Sequence, residues 1–164
     1  MNRRYFLEAG GVILGMSWLS QYLIGNSKVI GTASNKFDIT KTEEEWREIL
    51  TPSQFYVLRE HGTERARSSS LDKQYAEGTY TCAGCDLPLF TSETKFNSGT
   101  GWPSFYAAIP RAVDTSIDRS FFIKRVEVHC HHCGGHLGHV FNDGPKPTGK
   151  RYCMNGVALK FVEA

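Results

Sequence analysis

The chain has 164 residues, of which 19 are Lys or Arg and 17 are Asp or Glu, so its net charge is +2. This length suits one well-buried domain with a short appendage, and it argues against two domains. The charges are scattered without a long run of either sign, which excludes the basic footprint of a nucleic-acid-binding protein and favours small molecules or other proteins as partners.

The first segment, residues 1–37, differs in composition from the rest of the chain. It begins with Arg3 and Arg4, continues through an apolar stretch over residues 9–25 and ends in small polar residues. This layout is typical of an export signal, and the opening NRRYFL resembles the twin-arginine export motif. The apolar stretch is at the lower length limit for a bilayer-spanning helix, so a permanent membrane anchor is the second interpretation, and an ordinary first helix of the domain is the third. We therefore predict export to the periplasm or an equivalent extracytoplasmic compartment, with the functional domain in residues 38–164.

Two short helices are predicted next. In TEEEWREIL, Thr42 can cap the first helix and Glu45 stands three residues later, which is the capping-box arrangement. In TPSQFYVLREHG, Thr51 and Gln54 repeat that arrangement, and Gly62 is expected to end the second helix. Both helices are predicted from signals within a few residues of each other.

The pattern changes after the second helix. Residues 64–78 are polar and without a period, so they are predicted to form a long surface loop. From Tyr80 onward, short apolar stretches alternate with turn residues: GTYTC, PLFTS, SFYAAI, SFFIKRVEVHC, GHVFND and RYCMNGVALKFVEA. Together with the abundance of Gly, Phe and Tyr, these stretches predict a mainly β body.

Four of the five cysteines form two CxxC pairs, Cys82 with Cys85 and Cys130 with Cys133. Two such knuckles can complete a tetrahedral shell, and four thiolates suit one zinc ion with a structural role. The alternatives are two disulfides, or a mixed site that uses a neighbouring histidine: His129, His131 or His132.

The fifth cysteine, Cys153, remains as a free thiol. Strand alternation in RYCMNGVAL places Arg151, Cys153 and Asn155 on one face, so a cation and an amide flank the sulfur. We expect Arg151 to lower the pKa of the thiol toward neutrality and thereby raise the thiolate fraction. The alternative is an inert buried cysteine.

Two further stretches hold candidate functional residues. GGHLGHVFNDGP presents His136 and His139 in a Gly-rich context, where either imidazole could exchange a proton near neutral pH. SGTGWPSF presents Trp102 in a Gly/Pro turn. Taken alone, the histidines fit ordinary loop residues and Trp102 fits a core aromatic.

In combination, SGTGWPSFY, HLGHVFNDGPKPTGKRYCMN and the two CxxC pairs closely resemble the B-type methionine-R-sulfoxide reductases, over residues from about 42 to 162. The resemblance implies a fold of two antiparallel sheets, a zinc ion on the four paired cysteines and a nucleophile at Cys153. It also implies that His136, His139 and Asn155 bind and protonate the sulfoxide oxygen, while Trp102 packs on the substrate methyl group and Arg151 lies at the substrate site.

The expected substrate is oxidised methionine, free or in proteins, and the expected product on the enzyme is a Cys153 sulfenic acid. Many members of the family carry a resolving cysteine in the turn where this chain has Thr100. An external thiol, either thioredoxin-like or small, is therefore expected to restore Cys153 directly.

Two other functions are open at this point. A non-catalytic zinc module would explain the four paired cysteines but would give Cys153 no role. An exported thiol oxidoreductase would use its CxxC pairs for disulfide exchange and would contain no zinc.

Overall fold

The computed structural model describes residues 37–120 and 124–164. The predicted export signal falls almost wholly outside the described residues and stays a prediction, which cell fractionation of an Arg3→Lys, Arg4→Lys chain would test. Across the described ranges, no helix is long and apolar enough to cross a membrane.

Two helices open the domain, α1 (Glu43–Ile49) and α2 (Pro52–Leu58). Thr42 caps α1 and forms the predicted capping box with Glu45, and Thr51 does the same with Gln54 for α2. The cap side chains satisfy backbone N–H groups that would otherwise lack partners in the first turn. Both predicted helix starts are confirmed.

Nine strands form two antiparallel sheets. Their bounds are β1 (Gly78–Cys82), β2 (Pro88–Thr91), β3 (Lys95–Phe96), β4 (Ser104–Phe105), β5 (Val113–Asp118), β6 (Arg125–Cys130), β7 (His136–Phe141), β8 (Arg151–Met154) and β9 (Leu159–Glu163). One sheet has the order β2-β1-β9, and the other has the order β3-β4-β8-β7-β6-β5. The mainly β fold with two antiparallel sheets is therefore confirmed.

Some strands differ from the sequence prediction. The edge strand β5 was not predicted, because its sequence VDTSID is polar and gives no apolar alternation. The predicted C-terminal strand is broken by a 3₁₀ turn at Gly156–Ala158, which separates β8 from β9. The segment 64–78, predicted as a loop, contains a 3₁₀ helix at Ser70–Lys73.

Aromatic side chains fill the space between the two sheets. Phe90 on β2 stacks on Phe105 of β4 with ring centroids 4.3 Å apart, and Tyr80 of β1 meets the same Phe105 ring at 4.9 Å. All three residues are fully buried. This packing joins the sheets and leaves the other face of the six-stranded sheet for polar residues.

Candidate active site

A row of polar side chains crosses five strands of the six-stranded sheet. Neighbouring strands pair these residues one opposite the next: Ser116, Glu127, His139, Cys153 and Ser104. Because directly opposed residues share a face of the sheet, the thiol of Cys153 has His139 on one side and Ser104 on the other. Strand pairing therefore places the predicted nucleophile beside a predicted proton-transfer group.

A β-bulge adds His136 to the same face. Residues three apart on a regular strand point to opposite faces, so His136 and His139 should be separated by the sheet. The β6–β7 register shifts between Val128 and His129, however, which leaves Leu137 as an extra residue on β7. The two imidazole centroids consequently lie 5.4 Å apart. Both histidines lie on β7 rather than in a loop, and His139 falls in the predicted strand GHVFND.

Cys153 opens into a cavity of roughly 190 Å³, which Trp102, His139 and Asn155 also line. The Trp102 indole N–H donates to the Glu64 carbonyl oxygen at 3.2 Å, which fixes the ring at the edge of the cavity. Trp102 is therefore a wall of the cavity rather than a core aromatic. His136 does not line this cavity but an adjoining one, which His139 also lines.

The thiol of Cys153 does not have the lowered pKa expected from its neighbours. Burial raises the pKa, and this effect outweighs the opposing influence of Thr100 and of the Arg151 guanidinium. Arg151 is also held by Asp143, through Nε to Oδ1 at 2.9 Å and a second N–H to Oδ2 at 2.8 Å. The expectation of a near-neutral thiol pKa is therefore wrong, although Arg151 does act in the expected direction.

His139 is bound to a carboxylate from β5. Its Nε2 lies 2.8 Å from Oδ2 of Asp118, which can only accept, so Nε2 carries the proton and Nδ1 is left with a lone pair. Burial lowers the pKa of His139 despite this carboxylate, with Arg125 and His136 acting in the same direction as burial. At neutral pH, the resting pair is thus a thiol and a neutral imidazole.

His136 is held in the same manner by Glu127. Its Nδ1 lies 2.7 Å from Oε1 of that carboxylate, and its Nε2 is buried without a hydrogen-bond partner among residues 37–120 and 124–164. An imidazole that is oriented at one nitrogen and unpaired at the other is suited to accept a hydrogen bond from a ligand.

Both the oxygen and the nitrogen of the Asn155 side-chain amide form hydrogen bonds with the backbone. Its Oδ1 accepts from the Glu64 backbone N–H at 2.9 Å, and its Nδ2 donates to the Leu137 carbonyl at 3.1 Å. One Nδ2 hydrogen is left for a ligand.

Sequence reasoning missed Glu64, Asp118 and Glu127. The Glu64 carboxylate accepts from the backbone N–H groups of Gly156 and Val157 at 2.6 and 3.0 Å, directly after β8. Nothing in the polar segment around Glu64 distinguishes this residue. For Glu127, the alternation of charged residues with Val126 and Val128 on β6 was an available signal.

The four paired cysteines converge at the ends of strands from both sheets. Their sulfur atoms lie within 4.8 Å of one another, with 3.7 Å between Cys82 and Cys133 and 3.5 Å between Cys85 and Cys130. A tetrahedral Zn–S shell requires sulfur separations of about 3.8 Å, whereas a disulfide requires about 2.05 Å. All four are free thiols, so the two-disulfide alternative is wrong, and this cluster can hold a metal ion.

Among the described residues, no histidine joins the group that the four cysteine sulfur atoms form. His131 binds Asp114 at 2.8 Å and His132 lies 3.6 Å from Asp38, so neither completes a mixed site. Hydrogen bonds within the cluster, followed by burial, raise the pKa of Cys82 far above its ordinary value, and hydrogen bonds from the same neighbours lower the pKa of Cys133. The donor set therefore fits a divalent metal with high affinity for sulfur.

Comparison with known proteins agrees with this geometry. The model of the SelR domain matches residues 50–163. The chain is 55% identical over 132 residues to the peptide methionine sulfoxide reductase MsrB of Methanosarcina mazei, which covers 80% of this chain and 93% of that protein. It is 56% identical over 124 residues to the MsrB of Methanosarcina barkeri (75% and 87%) and 51% identical over 126 residues to that of Leptospira interrogans (76% and 96%).

The fold and the site thus define a SelR-domain protein with a free thiol in a polar cavity and a separate four-cysteine cluster. The chain belongs to the family of B-type peptide methionine sulfoxide reductases.

Proposed function

We propose that this protein reduces methionine-R-sulfoxide, free or within oxidised proteins, to methionine, with Cys153 as the nucleophile. The observation that carries the proposal is the direct cross-strand pairing of Cys153 with His139, at a cavity that Trp102 lines. A thiol beside a proton-transfer group and an aromatic wall suits a sulfoxide that carries a methyl group. The R-epimer is inferred from the family to which the chain belongs.

The proton required by the sulfoxide oxygen can come from the thiol itself. Neutral His139 accepts the Cys153 proton at Nδ1, so that a thiolate forms as substrate binds, and the imidazolium then donates the proton to the oxygen. Asp118, which holds Nε2, fixes the tautomer that this relay needs. The remaining Asn155 N–H donates to the sulfoxide oxygen, and His136 Nε2 accepts a hydrogen bond from that oxygen once it carries the proton.

The sulfoxide and Cys153 together supply all the atoms and electrons of the oxygen-transfer step. Cys153 sulfur attacks the sulfoxide sulfur, the S–O bond breaks and methionine leaves reduced by two electrons. The oxygen and the relayed proton end on Cys153, which is oxidised by two electrons to the sulfenic acid. One external thiol then attacks the sulfenic acid, which releases water and leaves a mixed disulfide on Cys153. A second external thiol displaces Cys153 as the thiol, and the two external sulfurs end as a disulfide.

Zinc is the ion we propose for the four-cysteine cluster. With Cys82, Cys85, Cys130 and Cys133 as ligands no open position remains, so the ion would stabilise the fold and take no part in the reaction. This assignment also argues against disulfide exchange through the CxxC pairs, because the four thiols are then occupied.

The test is a turnover assay with each epimer of a methionine sulfoxide. Wild type should reduce the R-epimer only, and Cys153→Ser should be inactive. His139→Ala should slow the reaction by on the order of 100-fold, the usual contribution of a proton-transfer group. Full activity of Cys153→Ser, or equal reduction of both epimers, would contradict the proposal. Absence of sulfoxide reduction by the zinc-loaded wild type would favour the non-catalytic zinc module.

A further inference from the structure

A second group of metal-ligating side chains lies outside the cysteine cluster. His61, Glu127 and His136 bring one ligand atom each to within 4.8 Å of the other two. Oε1 of Glu127 is 2.9 Å from Nδ1 of His61 and 2.7 Å from Nδ1 of His136. The reaction proposed above assigns no role to His61.

Ser116 orients the carboxylate of this group. Its hydroxyl donates to Oε2 of Glu127 at 2.6 Å, so that Oε1 faces the two imidazoles. The hydrogen bond from His136 lowers the pKa of Glu127 to about 2, and the carboxylate is therefore charged at neutral pH. A carboxylate that is held by a hydrogen bond at one oxygen and faces the other ligands with its second oxygen is pre-oriented for a metal.

The two imidazoles approach from different parts of the fold. The His136 side chain is 3% exposed and fixed on β7, whereas the His61 side chain is 64% exposed at the rim. His61 has a positive φ of 56° in the turn after α2, where Gly62 N–H bonds to the Tyr56 carbonyl. Both histidines and Glu127 line the cavity next to His139, which gives an ion a path from solvent.

We propose that His61, Glu127 and His136 form a second, weaker metal site that takes a divalent transition ion such as Zn²⁺. Two imidazoles and one carboxylate are a common zinc ligand set that leaves a position open for water. Ligand separations of about 3.3 Å suit bonds of 2.0 to 2.1 Å, so the cluster must open by a few tenths of an ångström. Each neutral imidazole then binds through Nδ1 as the tautomer that carries its proton on Nε2. The nearby Arg125 guanidinium is paired with the Asp118 carboxylate at 2.7 Å, which offsets part of its repulsion on a bound cation.

The ion would regulate the reaction. With the metal on Nδ1, the proton of neutral His136 lies on Nε2, which then cannot accept a hydrogen bond from the protonated sulfoxide oxygen, so zinc inhibits turnover. This consequence, unlike the site itself, rests on the proposed function. Because thiolates bind Zn²⁺ more tightly than this set, the second site fills only after the cysteine cluster.

The test starts from protein loaded with one zinc per chain. Equilibrium dialysis against Zn²⁺ should detect a second bound equivalent. Co²⁺ added instead should give ligand-field bands of a nitrogen and oxygen site without thiolate charge transfer. His61→Asn, chosen because Asn tolerates positive φ, should weaken the second binding at least tenfold. Glu60→Gln, which removes an exposed carboxylate next to His61, should leave it unchanged.

Activity supplies the second readout. His61→Asn should turn over sulfoxide like wild type without added zinc, and it should require at least tenfold more zinc for half inhibition. The absence of a second equivalent, or equal zinc affinity in His61→Asn and Glu60→Gln, would overturn the site. If no variant reduces sulfoxide the proposed function fails, while the dialysis and Co²⁺ spectra still decide the metal site.

Discussion

At the level of single residues, the site combines a thiol whose pKa is raised with an imidazole whose pKa is lowered. Burial is the main cause in both cases, because it disfavours the thiolate of Cys153 and the imidazolium of His139. Two neutral partners keep the proton within the pair until substrate arrives. The nucleophile is thereby protected from adventitious oxidation, which requires the thiolate.

Substitution of Arg151 tests how far a nearby cation opposes the effect of burial on the pKa of Cys153. The Arg151 cation favours the thiolate, so Arg151→Gln should raise the midpoint of pH-dependent Cys153 alkylation further. Mass spectrometry of the Cys153 peptide over a pH series measures the midpoint. Lys150→Gln, which removes an exposed neighbouring cation, should leave it in place. An unchanged or lower midpoint in Arg151→Gln would show that the guanidinium does not act on the thiol.

At the level of elements, local signals could be read from the sequence and long-range pairings could not. Thr42 with Glu45 is a contact between neighbours in the chain, and each CxxC knuckle is equally local. The bulge at Leu137 and the Asp118–His139 contact depend on the β5–β6–β7 register, which no single strand encodes. Local patterns singled out the predicted site residues and family resemblance gave them their roles, while the carboxylates that orient the histidines appeared only once the strands were paired.

The turn between β3 and β4 brings Thr100 close to Cys153. Thr100 Oγ1 lies 3.8 Å from Cys153 Sγ, so a sulfur at this position would be within reach of the sulfenic acid. Thr100→Cys should form a disulfide with Cys153 after one turnover and gain thioredoxin-dependent activity.

Asn97→Cys is the matched control, because it places a thiol on the exposed side of the same turn. Intact mass distinguishes the variants: a loss of two hydrogens is expected in Thr100→Cys alone. A persistent sulfenic acid in that variant, or the same disulfide in Asn97→Cys, would refute a geometric role for the turn.

At the level of the whole molecule, the cysteine cluster links the two sheets. Cys82 ends β1 in one sheet and Cys130 ends β6 in the other, and their partners stand in the following turns. Metal binding to such a site contributes about 10 to 16 kcal/mol, as much as the whole stability of a typical domain. We therefore expect the domain to fold stably only when the ion is bound.

Cys130→Ser should accordingly yield insoluble or metal-free, unfolded protein, as judged by circular dichroism and elemental analysis. Cys153→Ser is the control for the same chemical change outside the cluster, and it should retain one zinc and the native spectrum. A folded, active Cys130→Ser without metal would mean that the cluster does not stabilise the fold.

The central claim, that Cys153 takes the sulfoxide oxygen and that no second cysteine resolves it, is tested most directly by one single-turnover measurement. Wild-type protein is mixed with one equivalent of methionine-R-sulfoxide without reductant, and the intact mass and the methionine formed are measured together. We predict one methionine per chain and a mass gain of one oxygen that a sulfenic-acid trap locates on Cys153. A loss of two hydrogens, which marks an internal disulfide, would contradict the one-cysteine cycle, and methionine formation by Cys153→Ser would contradict Cys153 as the nucleophile.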